Sequence, residues 1–152
     1  MKPPLEVTPW TMAMRFLGLT EVAGSVDNPT VMAMLTLDNE WPQNDETPWC
    51  SAFVNYICWL LYLPRTSSLM ARSWLELPTE VALADAESGW DVVILKRGTG
   101  DQPGPEVTRA PGHVGFYGGL EGDKIKVLGG NQGNAVSVSE YPVSRLLGIR
   151  RI

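Results

Sequence analysis

The sequence predicts an α+β fold in which helices come first and a small antiparallel sheet comes after them. Three observations predict it. Apolar residues recur at helical spacing through the first half of the chain, with prolines near the starts of the runs. From residue 91 onward the period drops to two. Fifteen glycines and twelve prolines punctuate the chain, more than a helical bundle uses. At 152 residues the chain has the size of one domain, spanning 1–152, and can bury about two thirds of its unfolded surface without staples. It holds no internal repeat and no low-complexity stretch.

Each element has its own signal. Residues 9–17, PWTMAMRFL, open on Pro9 and stop at Gly18. Asn28-Pro29-Thr30 supplies a cap and a proline at the first helical position before VMAML. Residues 38–50 are polar and turn-rich and read as a loop. Thr47 and Pro48 then predict the start of a helix that runs to about Leu61, before Pro64, and is apolar nearly all round. Residues 67–77, SSLMARSWLEL, predict one more short helix. Strands are expected at 91–95, 113–119, 124–130 and 135–141, with Gly-rich ends that suggest an antiparallel meander. Residues 146–151 predict a last edge strand.

Composition narrows the function. The net charge is −5, from 12 basic and 17 acidic residues, which argues against a nucleic-acid partner and against an anionic membrane surface. The densest basic spot is Arg145 with Arg150 and Arg151. The N-terminal MKPPLEVTPW has no apolar core, so no signal peptide is expected and synthesis is expected in the cytoplasm. The longest apolar run, residues 52–63, is too short to span a bilayer. On one helix, Cys50 and Cys58 lie roughly 12 Å apart, too far for a disulfide. Two thiols with one histidine do not make a zinc site, so no metal or other cofactor is expected. A monomer is expected, since no exposed apolar stripe stands out.

Cys50 falls in the first turn of the most buried helix. Partial positive charge at a helix N-terminus lowers a thiol pKa, and the thiolate is the nucleophile of covalent catalysis. A buried free cysteine is also a common small core residue, the reading that suits Cys58. His113, the only histidine, comes after Pro111-Gly112 and opens a strand. It is the natural base for a thiol. A third group must orient the imidazole, and the next strand ends in Asn131 and Gln132. Asn131 could accept the ring N–H or be an ordinary turn residue, and Gln132 stands in reserve. Trp41 and Trp49, in the loop leading to Cys50, line a groove or anchor the loop. Trp10, Trp59 and Trp74 are expected in the core. Arg72 supports the core or holds a substrate carboxylate.

DETPWCSAFVNYI, MARSW and GHVGFYGG…IKVLGGNQGNAVSVSEYP…LLGIRR resemble the bacterial and phage NlpC/P60 and CHAP peptidases over residues 10–152, nearly the whole chain. The resemblance implies a papain-like fold and hydrolysis of amide bonds in bacterial peptidoglycan. It places the nucleophile on Cys50, the base on His113 and the orienting group on Asn131; Trp49, Trp41 and Gln132 are expected against the substrate. Three departures stand out. No second histidine exists; Gly129 occupies the position of a CHAP glutamate; Trp49 precedes the cysteine where NlpC/P60 proteins tend to have Asp. The activity so implied is that of an endopeptidase or an N-acetylmuramoyl-L-alanine amidase. It would act in the periplasm as a phage endolysin given access by a holin, or as a secreted effector with an immunity protein. A catalytically silent wall-binding or virion module is the alternative from another class. Acyl transfer would use the same thiol and base.

Overall fold

Thr8 opens the first helix. Its Oγ1 accepts the Thr11 N–H at 3.1 Å while Thr11 Oγ1 accepts the Thr8 N–H at 2.8 Å, a reciprocal cap ahead of Pro9. In a computed structural model, which describes residues 1–22, 27–38 and 48–152, this helix is α1, Pro9–Ala13. It tightens into a 3-10 turn at Met14–Phe16, and the chain leaves through Gly18 at φ +85°. Helix α2, Pro29–Leu35, begins as the sequence predicts: Asn28 Oδ1 accepts the Thr30 N–H at 2.9 Å, and Pro29 comes next. Helix α3, Cys50–Leu60, starts later than expected, with Trp49 at the cap position and no side-chain capping bond. Thr47, the expected cap, lies outside the described residues. The helix ends before Pro64 through Tyr62 at φ +56°.

Residues 67–77 do not form an α-helix. They form a 3-10 turn, Ala71–Glu76, in which five consecutive residues from Ala71 to Leu75 are buried. An α-helix packed on one side buries a stripe rather than a run, so the tighter turn suits a segment wedged between helix and sheet. Side-chain bonds tie this segment to α3. Ser51 Oγ donates to Ser68 O at 2.6 Å, Asn55 Oδ1 accepts the Ser67 N–H at 2.9 Å, and the Trp74 indole N–H donates to Ser51 Oγ at 2.9 Å. The polar groups of a buried helix are thereby satisfied.

Five antiparallel strands make the sheet: β1 Asp91–Lys96, β2 Gly112–Glu121, β3 Lys124–Gly129, β4 Ser137–Pro142 and β5 Leu146–Arg151. Their order is β4-β3-β2-β1-β5, so the expected meander is present and β5 lies at the edge beside β1. A three-residue 3-10 turn, Val143–Arg145, carries the chain from one edge to the other. Four strand spacings in a flat sheet would separate those edges by about 19 Å, more than the roughly 13 Å that the link can span. The sheet is therefore curled. Register shifts at Ile94/Leu95 and Tyr117/Gly119 help it bend.

Alternation along β1 serves two cores. Val92 and Ile94 join Val114 and Phe116 against Met34, Phe53, Ile57 and Trp74 of the helical layer. Val93 and Leu95 join Tyr117, Ile125, Val127 and Ile149 on the concave face. Each such side chain contributes about 1.5–3 kcal/mol on burial. Trp74 is buried and Trp10 packs against the first core, but Trp59, expected inside, is 47% exposed on the outer face of α3. Among the described residues no helix is long and apolar enough to cross a membrane.

Candidate active site

Cys50 is the first residue of α3, and His113 is the second residue of β2. The packing of α3 against β2 brings them together. Both residues are almost covered, at 5% and 8% exposure, and each acts on the other's protonation. Burial alone would push the Cys50 thiol up. The hydrogen bond and charge of His113, with the backbone N–H groups of Val114 and Ser51, outweigh burial and hold it below the ordinary thiol range. The Ser51 N–H is the local expression of the helix N-terminus. Burial would likewise push the imidazole down. The hydrogen bond and charge of Cys50 and the bond to Gln132 outweigh it and the nearby Arg145, and His113 is raised. Opposite shifts on the two partners favour a thiolate–imidazolium pair.

Gln132 orients the ring. His113 Nε2 lies 2.9 Å from Gln132 Oε1. The Gln132 amide nitrogen donates to Ser137 O at 2.7 Å and to Val127 O at 3.3 Å, so the oxygen is the end that faces the imidazole. Tyr141 donates its hydroxyl to the same oxygen at 3.1 Å and lies against the His113 ring, centroids 5.4 Å apart. Arg145 in turn stacks over Tyr141. An acceptor at Nε2 means that this nitrogen carries the ring proton. Nδ1 is left to face the thiol.

This corrects the expectation for Asn131. Asn131 sits in the turn after β3 at φ +56°, the conformation that asparagine tolerates best after glycine, and the residue beyond it is the one aimed back at the ring. Gln132, expected against substrate, is 7% exposed, with both ends of its carboxamide engaged inside the protein. A Cβ on Gly129 would stand 2.9 Å from Gln132 Oε1 and 3.4 Å from His113 Nε2. The carboxamide thus fills the place beside His113 toward which a side chain at position 129 would point.

Trp49 does not line a groove. It is fully buried, its indole N–H donates to Glu21 Oε2 at 3.1 Å, and its ring covers Gly130. Trp41 lies outside the described residues. Cys58 is buried in the helical layer, and burial pushes its thiol up to about 12, which suits a core residue.

No family model matches this chain, and no curated protein matches it either.

Two further groups bear on the site, and of these Tyr141 had no local signal in the sequence. Tyr141 reads as an ordinary strand residue, yet curling of the sheet places it on His113. Arg72 is fully buried and donates to four carbonyls, of Pro103, Gly104, Val107 and Pro111, at 2.9–3.0 Å. Its donors are spent on the loop between β1 and β2, so it holds structure rather than a substrate carboxylate. That loop helps to wall a cleft of about 280 Å³ that opens beside Cys50 and is also lined by Met70, Arg97 and Arg109. Among the described residues, no cluster of three or more His, Cys, Asp or Glu side chains is placed to hold a metal ion.

Proposed function

We propose that this chain is a cysteine-dependent hydrolase of amide bonds in bacterial peptidoglycan stem peptides, built on a papain-like pairing of helix and sheet. The observation that carries the reading is the relay Cys50–His113–Gln132, with the thiol lowered, the imidazole raised and the ring held by a fixed carboxamide. The peptidoglycan substrate rests on the resemblance of the blocks around Cys50, His113 and Asn131 to the NlpC/P60 and CHAP peptidases. A phage endolysin is the setting that the resemblance favours.

Each residue has its own part in the reaction. The Cys50 thiolate attacks the scissile carbonyl carbon, forming a C–S bond and a tetrahedral oxyanion. The free backbone N–H at the start of α3 is the natural donor to that oxyanion. His113 gives its Nδ1 proton to the departing amine as the C–N bond breaks. It then takes a proton from the water that hydrolyses the thioester. Gln132 keeps the imidazole in the tautomer and orientation that both transfers need.

Digestion of purified Gram-negative peptidoglycan, read by mass spectrometry, tests the reading. Wild type and Cys58→Ser should release fragments, and Cys50→Ala should release none. New termini separate endopeptidase from amidase. Silence from folded wild-type protein, or equal release by Cys50→Ala, would remove the reading.

A further inference from the structure

We propose that Arg97 and Arg109 form an anion subsite beside the nucleophile, so that the substrate carries a free carboxylate close to the scissile amide. The inference rests on the hydrolase reading and deepens it by naming the substrate's charge.

The chain as a whole is acidic, with 17 carboxylate side chains against 12 basic ones. The cleft at Cys50 has the opposite character: among the described residues Arg97 and Arg109 line it, with apolar Leu69 and Met70, and no Asp or Glu does. Neither guanidinium has an ion-pair or hydrogen-bond partner among the described residues. Five other arginines are committed. Arg65 pairs with Asp38, Arg151 with Asp91, and Arg72, Arg145 and Arg150 donate to backbone carbonyls. A neighbouring cleft of about 290 Å³ shares Met70 and Arg109 and ends at Glu76. Arg109 therefore stands where the two meet, without an ion pair to Glu76.

The backbone that carries the two cations is held in place. They stem from opposite ends of the loop that Arg72 clamps through its four carbonyls. At the near end the Gln102 carboxamide bonds both the N–H and the C=O of Arg97. Paired guanidinium groups in a small concave site suit a carboxylate, which they can grip in bidentate fashion. Two cations in a cleft of about 280 Å³ match one small acidic group and not a polyanion, which needs an extended basic stripe.

Alkylation of Cys50 provides the test, because it reads charge at the thiol without requiring turnover. The thiolate displaces iodide from iodoacetate or from iodoacetamide, and the ratio of the two rates cancels any change in thiolate population. Arg97→Gln/Arg109→Gln should lower that ratio about threefold or more at low salt, and Arg97→Lys/Arg109→Lys should retain most of it. A ratio unchanged in the Gln variant overturns the subsite. If peptidoglycan is digested, amidating the stem-peptide carboxylates should slow wild type about tenfold and the Gln variant far less; an equal response also overturns it. Failure of the hydrolase reading shows separately, as absence of fragments from wild type.

Discussion

Gln132 reaches His113 from a turn, not from the strand beside it. The 2.9 Å contact between its Oε1 and the ring Nε2 exists because Asn131 adopts a left-handed conformation and Gly129 has no side chain to occupy the space. We expect Gln132→Ala to lower Cys50-dependent hydrolysis by about 100-fold, since a loosened base loses its alignment. Asn131→Ala should change it by less than about threefold. Steady-state rates on peptidoglycan fragments check both, and a larger loss at Asn131 would reverse the assignment.

The single histidine makes the pair directly measurable. In wild type the His113 ring resonances should titrate above the ordinary value of about 6.5, and in Cys50→Ala below it, because burial and the charge of Arg145 are then opposed only by the bond to Gln132. Stability depends on pH with a definite sign. A raised imidazole stabilises the fold fully below its unfolded value of about 6.5, and that contribution is lost as pH rises through the raised value. A lowered Cys50 stabilises it above about 8.5, and that contribution is lost as pH falls through the lowered value. NMR titration of both proteins tests the shift, and an unmoved histidine in Cys50→Ala would break the proposed coupling.

Gly129→Ala places a methyl group 2.9 Å from Gln132 Oε1. The carboxamide must move away from the ring, so activity should fall about tenfold or more. Stability should fall by no more than about 2 kcal/mol. Urea unfolding alongside kinetics separates the two effects; full activity would mean that Gln132 has room to spare.

Arg72→Met should cost about 3 kcal/mol, because it leaves four loop carbonyls without their donor. Hydrogen exchange should rise in residues 97–111 before it rises in β1 or β2. Uniform loosening of the whole sheet would show that Arg72 supports the core at large and not the cleft wall.

Much of the local structure was legible in the sequence. Caps and prolines at Pro9 and at Asn28-Pro29 are short-range chemistry, and α1 and α2 begin where these residues place them. The switch to period two placed the strands, and their spacing indicated antiparallel order. Cys50 and His113 could be singled out because a helix start and a strand start are themselves local features.

Whatever depended on distant segments was decided only by the tertiary structure. The fate of residues 71–76 comes from burial on more than one side, which no periodicity records. Trp49 turns inward because Gly130, 81 positions away in the sequence, offers its ring a surface. Gln132 rather than Asn131 holds the imidazole because one left-handed residue reverses the direction of the next. Tyr141 joins them because the sheet curls. Sequence carries the propensity of each segment, whereas the pairing of side chains on different segments is set by packing, register and the sign of a single φ angle.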